Sequence, residues 1–370
     1  MARKRYRSFR NRRRFRRPHR IGPAWRLGIL ALVIIVVAVF FFTKNGPETA
    51  PASSMSEEIP LFEPIGKQTS KPKPEEKTPG QRYVAPKPKP IPAPVAPSVA
   101  PAPGPKENVA AINDITSPEA KALIESAIND IKAGNIVTAR DKLNKTLVPP
   151  MKLSPKLLPV VKQQLSALAD KWLFSRTPYP ADPFTAAYKV QSGDMLSEIG
   201  KSYNIPYELI MSINDIKRPE ALAAGKTIKV INGPFHAVVH RSTFTLDLYI
   251  GKNTYVKTYR VGLGELGKET PTGLWSVKTN GKLIRPPWPN PAGGIVYPDD
   301  SEYPLGSRWI GLKGIEGQAK GRTGFGIHGT KDPDTIGTRS SQGCIRLYNG
   351  QVIELFNLMT PGQSKIRVMD

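Results

Sequence analysis

The strongest constraint on this chain is a 16-residue run at 27–42, LGILALVIIVVAVFFF, without one polar side chain. Ala24 and Trp25 lie just beyond Arg26 and extend it toward the ~20 residues that span a hydrocarbon core. Twelve of the first 26 residues are Lys or Arg, and none is acidic. A basic head before an apolar run places the head in the cytoplasm and the rest of the chain outside. The sequence therefore predicts a basic cytoplasmic head (1–26) and an uncleaved transmembrane signal anchor (27–42). A cleaved signal peptide competes, but it calls for a shorter apolar core ending in a small-x-small site. Here the run ends in Phe40, Phe41 and Phe42, followed by Thr43 and Lys44. Arg12, Arg13, Arg14 and Phe15 fit a twin-arginine pattern only loosely. The adjacent span accounts for the head's charge, so nucleic acid is not expected as a partner.

Between Pro47 and Pro105 stand 16 prolines in 59 residues. Proline fixes φ and removes a donor, which excludes helix and central strand. The stretch 43–115 reads as a disordered, extended linker rising ~3.1 Å per residue. Its nine basic and eight acidic residues nearly cancel. Of the +24 formal charge, about +11 sits from Thr116 onward (33 basic, 22 acidic), which suits an anionic surface. Cys344 is the single cysteine, so neither an internal disulfide nor a cysteine zinc cluster can form. A lone thiol reads as a reactive group or as a small buried hydrophobe.

A helical segment is expected over 116–176. Ser117-Pro118 starts one helix, Gly134-Asn135 ends it, and a second runs from Ile136 to about Leu147. A third begins at Ser154-Pro155, with Leu158, Val161, Leu165, Leu168 and Trp172 on one face. No chemistry attaches to this segment; it reads as a packing or docking module. Over 187–231 the pattern becomes strand, helix, helix, strand, a βααβ unit. Tyr188, Val190, Gly193, Asp194, Leu196, Ile199, Asn214, Pro219, Leu222 and Gly225 stand in an arrangement that resembles the LysM family. Met195 departs from the Thr usual there. The resemblance implies binding of N-acetylglucosamine-containing glycan between two loops. Its expected contacts are Gly193, Asp194, Met195 and Leu196 on one side, and Asn214, Ile216 and Pro219 on the other. A purely structural module is the competing reading.

After Gly233-Pro234 the period changes to two. Phe244, Leu246, Leu248 and Ile250 alternate with Thr245, Asp247 and Tyr249, and turns follow closely. A mainly β domain over 235–370 results. Near its end come GIHGT at 326–330 and SSQGCIRL at 340–347. A cysteine nucleophile needs a base in hydrogen-bond reach and a group that orients the base. His328 is the candidate base for Cys344; His236 and His240 are weaker candidates. Amides at Gly343 and Cys344 are expected to hold an oxyanion, and the imidazole to depress the thiol's pKa. TPTG at 270–273, PLGSRW at 304–309, IHGT at 327–330 and SQGCIRL at 341–347 together resemble the YkuD-type L,D-transpeptidase family. Gln342 departs from the His or Lys found in many members.

That resemblance implies a β-sandwich catalytic domain using Cys344 as nucleophile and His328 as base, with the Gly329 carbonyl orienting the imidazole. Gly343, Ser341 and Arg346 would shape the oxyanion and substrate pocket. Cys344 would form a thioester with a peptidoglycan stem tetrapeptide and release D-alanine. Transfer to an amine gives a cross-link, and water gives carboxypeptidase side activity. No metal or organic cofactor is implied. The expected setting is the bacterial inner membrane, single-pass, with the catalytic domain on the periplasmic or wall side. A non-catalytic, membrane-anchored peptidoglycan tether is the alternative. A papain-like peptidase is disfavoured because there the cysteine precedes the histidine. The Pro/Gly-rich stretch 279–306, with Trp288 and Tyr297, reads either as a lid or as a surface loop.

Overall fold

Residues 116–370 are described by the computed structural model. The basic head, the apolar run and the proline-rich linker lie outside the described residues. Ser117 caps α1 (Pro118–Ala133), its Oγ accepting from the Ala120 amide, and Gly134 ends that helix at φ 82°. Helix α2 (Ile136–Lys145) stops two residues before the expected Leu147. Helix α3 (Leu157–Trp172) begins after Ser154, whose Oγ accepts from the Leu157 amide. Val161, Leu165, Leu168 and Trp172 form its buried face. Each stabilises by about 1.5–3 kcal/mol on burial.

The βααβ unit follows as β1 (Thr185–Lys189), α4 (Leu196–Ser202), α5 (Tyr207–Asn214) and β2 (Thr227–Ile231), with β1 and β2 antiparallel. The β domain contains β3 (Phe235–His240), β4 (Thr245–Ile250), β5 (Thr254–Arg260), β6 (Leu263–Gly264) and β7 (Gly273–Leu283). It continues through β8 (Trp288–Pro289), β9 (Ile295–Val296), β10 (Trp309–Gly314), β11 (Gly326–His328), β12 (Arg339–Ser341) and β13 (Ile345–Arg346). Helix α6 (Asn349–Leu358) and strand β14 (Lys365–Met369) close it. Eight strands make one mixed sheet in the order β13-β11-β10-β7-β14-β3-β4-β5. The other pairs in this domain, among the described residues, are β6–β12 and β8–β9. Leu246, Leu248 and Ile250 of β4 are fully buried, and so is Asp247 between them, which a solvated polar face would not produce.

The burial of Asp247 follows from the helical segment, which packs on this sheet. Lys162 of α3 reaches the Asp247 carboxylate at 2.5 Å, and His240 and Thr258 also face it. Asn144 Oδ1 accepts from the Tyr255 amide on edge strand β5, satisfying a donor that an open edge would expose. The same segment grips the βααβ unit. Arg140 pairs with Asp182 at 2.7 Å with both side chains buried, and its guanidinium lies 4.2 Å over the Trp172 ring. Lys229 of β2 donates to the carbonyls of Trp172, Ser175 and Thr177 at 2.6, 2.9 and 2.9 Å, capping the end of α3. Thr360 Oγ1, after α6, donates to Asn204 O of the βααβ unit at 2.8 Å.

Candidate active site

The sheet's β13 end carries the chemistry. Strands β11 and β13 run parallel, pairing Ile327 with Ile345 and His328 with Arg346. Ile327 and Ile345 are buried in the core, which turns the alternate residues to the other face. Cys344 immediately precedes β13, two residues staggered from His328 across one strand spacing. That stagger corresponds to about 8 Å between α-carbons, within joint reach of the two side chains. Gly326 lies between them. A Cβ there would stand 2.6 Å from the Trp309 ring.

His328 is buried, and its Nδ1 lies 2.6 Å from the Gly329 carbonyl. A carbonyl only accepts, so Nδ1 carries the proton and Nε2 keeps its lone pair. Trp309 stacks on the imidazole at 5.6 Å and 22°. Burial, opposed by the Gly329 contact and helped by the Arg346 charge, lowers the imidazole pKa to about 4. The ring is therefore neutral at pH 7. Asn349 holds the loop from beneath. Its Oδ1 accepts from the Ser307 amide and its Nδ2 donates to Thr330 O, both at 2.9 Å. Sequence reasoning did not single out Asn349; the start of α6 directly after SQGCIRL was its only signal.

Cys344 is half-buried, its sulfur 4.0 Å from Gly324 O. Burial raises the thiol pKa above its ordinary 9.0, against smaller lowering effects of the Gly326 backbone and the Arg346 charge. This corrects the expected depressed pKa: the imidazole is neutral and supplies no positive field, so desolvation wins. The oxyanion expectation changes as well. The Gly343 amide donates to Ser341 Oγ at 3.2 Å, and Ser341 Oγ donates to Cys344 O at 2.6 Å. Among the described residues the Cys344 amide has no such partner and stays available to a substrate oxygen. Ser341 is thus a buried loop brace. Thr270 Oγ1 donates to Gly343 O at 2.9 Å and accepts from the Gly264 amide at 3.2 Å. Gly343 adopts φ 109°, and a Cβ there would lie 2.7 Å from the Phe325 ring, so only glycine fits. Arg346 Nη1 lies 3.4 Å from Ser340 Oγ, and the Arg346 charge acts on both the thiol and the imidazole.

The weaker histidines lie elsewhere. His236 is buried with Nδ1 accepting from the Lys365 amide, and His240 faces Asp247. The stretch 279–306 continues β7 to Leu283, then forms the β8–β9 hairpin, pairing Trp288 with Val296. Leu283 pairs with Trp309, which pairs with His328, so the hairpin departs at the level of the imidazole. Among the described residues no His/Cys/Asp/Glu cluster could hold a metal ion, and no helix is long and apolar enough to cross a membrane.

In the βααβ unit the structure divides the seven expected glycan contacts. Gly193, Met195 and Pro219 are exposed. Asp194 Oδ2 accepts from the Gln191 amide and the Tyr188 hydroxyl, bracing its own loop. Leu196, Asn214 and Ile216 are buried, so their side chains belong to the packing of the unit and only backbone there could meet a ligand. Asn214 uses its amide group on Ile210 O, Lys229 O and the Lys229 amide, and its carbonyl accepts from Arg176. It ties helix to strand rather than facing a ligand.

Two family models match the chain. The L,D-transpeptidase catalytic domain covers residues 234–368, and the LysM domain covers 188–230. The Bacillus subtilis (strain 168) protein named as the L,D-transpeptidase YkuD is 31% identical over 182 residues, 47% of this chain and 94% of that protein. The Escherichia coli (strain K12) protein named as the L,D-transpeptidase YcfS is 29% identical over 199 residues, 48% of this chain and 59% of that protein. Among solved structures, the catalytic domain of an E. faecium L,D-transpeptidase is 20% identical at a TM-score of 0.28, covering 36% of this chain and 95% of that one.

Proposed function

This chain belongs to the L,D-transpeptidase family, with a YkuD-type catalytic domain and a LysM domain, and from that premise we propose a cysteine acyltransferase running through Cys344. The substrate is a peptidoglycan stem tetrapeptide. The Cys344 sulfur attacks the carbonyl between the third residue and the terminal D-alanine while His328 Nε2 takes the thiol proton. The developing oxyanion meets the Cys344 amide. The carbon–nitrogen bond breaks, and the imidazolium returns its proton to the departing D-alanine amine. An acceptor amine then attacks the thioester, gives its proton to His328, and forms the new amide as the thiol is regenerated. Water in place of the amine gives carboxypeptidation.

One observation carries this reading. The β11–β13 register sets the Nδ1-locked His328 beside the loop that bears Cys344. A thiol neutral at rest suits a base that removes its proton during attack, as in general-base catalysis. The LysM module holds the glycan strand through backbone and small surfaces near Gly193, Met195 and Pro219. The apolar run and proline-rich linker read from the sequence anchor the enzyme in the inner membrane with this domain on the wall side.

The test incubates the chain with disaccharide tetrapeptide and follows D-alanine release. A carbapenem is expected to add covalently to Cys344, and Cys344→Ala to abolish both signals. Folded protein that neither releases D-alanine nor takes the adduct would leave only the anchored glycan-binding tether.

A further inference from the structure

Strands β11 and β13 stop pairing just where the chemistry begins. Their parallel ladder pairs Ile327 with Ile345 and His328 with Arg346, and the Leu347 amide donates to His328 O at 2.9 Å. In a parallel ladder the next such rung falls two residues on, from the amide of residue 349 to the carbonyl of residue 330. Helix α6 begins at Asn349, so its backbone turns away. Its side chain supplies the rung instead: Asn349 Nδ2 donates to Thr330 O at 2.9 Å. The other end of the carboxamide accepts from the Ser307 amide at 2.9 Å, and Ser307 Oγ donates to Asn349 O at 3.1 Å. One end meets a carbonyl and the other an amide, so the partners fix which atom is nitrogen and which is oxygen.

Two glycines make room for this carboxamide. A Cβ on Gly329 would stand 2.1 Å from Asn349 Oδ1, and one on Gly306 would stand 2.2 Å from it. Gly306 has a second reason to be glycine, its φ of 61°. Gly329 has no positive φ and is kept bare by what surrounds it. The place matters because the Gly329 carbonyl, 2.6 Å from His328 Nδ1, belongs to the peptide that joins Gly329 to Thr330. That peptide is pinned on both sides. The Gly329 amide donates to Arg308 O at 3.3 Å, and Asn349 holds Thr330 O. Glycine is the residue least restricted in φ and ψ, so without the second pin the carbonyl is free to swing from the ring. A neutral imidazole with no partner at Nδ1 carries its proton on either nitrogen. With the proton on Nε2, that nitrogen has no lone pair for the Cys344 thiol.

Resting on the acyltransferase reading above for its consequence, we propose that Asn349 is a positioning residue: its carboxamide fixes the Gly329 carbonyl, and through it the His328 tautomer whose Nε2 is free to take the thiol proton. Trp309 sets the plane of the ring, and Asn349 decides which of its nitrogens is bare. It acts through the turn, not on the reacting atoms.

The experiment labels the histidines of the full chain with a nitrogen isotope and records two-bond nitrogen–proton correlations at pH 7, where the His328 ring is neutral. His328→Gln identifies the signals of residue 328 among the four histidines. The wild-type ring is expected to be protonated at Nδ1 and bare at Nε2. Asn349→Asp keeps the acceptor for Ser307 and loses the donor to Thr330 O. Asn349→Leu loses both and adds no charge that bears on the ring. Gly329→Ala keeps Asn349 but displaces its carboxamide, a second route to the same loss. Each should shift the signals toward the Nε2-protonated form. Each should also lower kcat for D-alanine release from a disaccharide tetrapeptide about 10–100-fold with KM unchanged, the usual loss when a partner that orients a histidine from behind is removed. Thermal melting against wild type shows that each variant is folded at the assay temperature. A brace with no bearing on the ring would lower the melting temperature and leave the nitrogen pattern as it was. An unchanged pattern in Asn349→Asp and Asn349→Leu would overturn the proposal whatever the rates do, and so would a wild-type ring protonated at Nε2. Shifted nitrogens with no D-alanine release from any form would uphold the tautomer assignment and sink the acyltransferase reading instead.

Discussion

Alkylation of Cys344 by iodoacetamide as pH is raised measures the resting state of the thiol directly. Only the thiolate reacts at a useful rate. The structure makes His328 neutral, with a pKa near 4, and raises the thiol above its ordinary 9.0. At pH 7 a thiol whose pKa exceeds that ordinary value is at most about 1% ionised. Each unit of pH multiplies the thiolate about tenfold until the pKa is reached, so the observed rate should climb about 1000-fold from pH 6 to pH 9. A resting thiolate–imidazolium pair behaves otherwise. It ionises at low pH and gives a flat rate through neutrality, about 100-fold faster at pH 7 than the neutral thiol. Stopped alkylation samples, digested and quantified by mass spectrometry at half-unit steps, give the profile. A plateau between pH 5 and pH 8 would refute the claim that burial outweighs every stabilising group around the sulfur.

Acid should destabilise the fold through two neutral histidines. His236 and His328 both have folded-state pKa values lowered to about 4 from 6.5. The unfolded chain therefore binds more protons between those values, and stability falls as pH drops from about 6.5 toward 4, by roughly 3 kcal/mol per histidine. Urea titrations at pH 7 and pH 4.5 check it; equal midpoints would refute it. Asp182→Ala removes the buried one of Arg140's two carboxylate partners, Asp141 remaining, and should cost about 1–3 kcal/mol in the same assay. Thr270→Val removes the partner of Gly343 O and the Gly264 amide. It should cost about 1–3 kcal/mol and slow carbapenem acylation, with Thr270→Ser recovering both. Exposed Met195→Asp should weaken sacculus sedimentation without slowing turnover of a small soluble donor.

The sequence was most legible where local chemistry decides the outcome. Ser117 and Gly134 mark the limits of α1 by capping, and alternation marks β4. Gly233-Pro234 marks the change from βααβ unit to sheet. It was less legible where distant residues meet. Asp247 sits at a solvent-facing position of an alternating strand, yet Lys162, 85 residues earlier, covers it. Asn214 and Ser341 looked available to ligands, but Lys229, 15 residues on, absorbs the first, and the turn of its own loop onto Gly343 and Cys344 absorbs the second. The cavity lined by Gln342 combines loops from three parts of the chain, so no contiguous pattern announces it. The thiol's protonation was misjudged for a related reason: residue types name a Cys–His pair, whereas desolvation is a property of everything packed around it.

The seat of Lys229 has a mechanical consequence. One ammonium, sunk among three main-chain oxygens, bolts the glycan module to the helix that also rests on the catalytic sheet. Under the proposed function, a saccharide strand seated on that module would present its stems to the thiol at a spacing set by this junction.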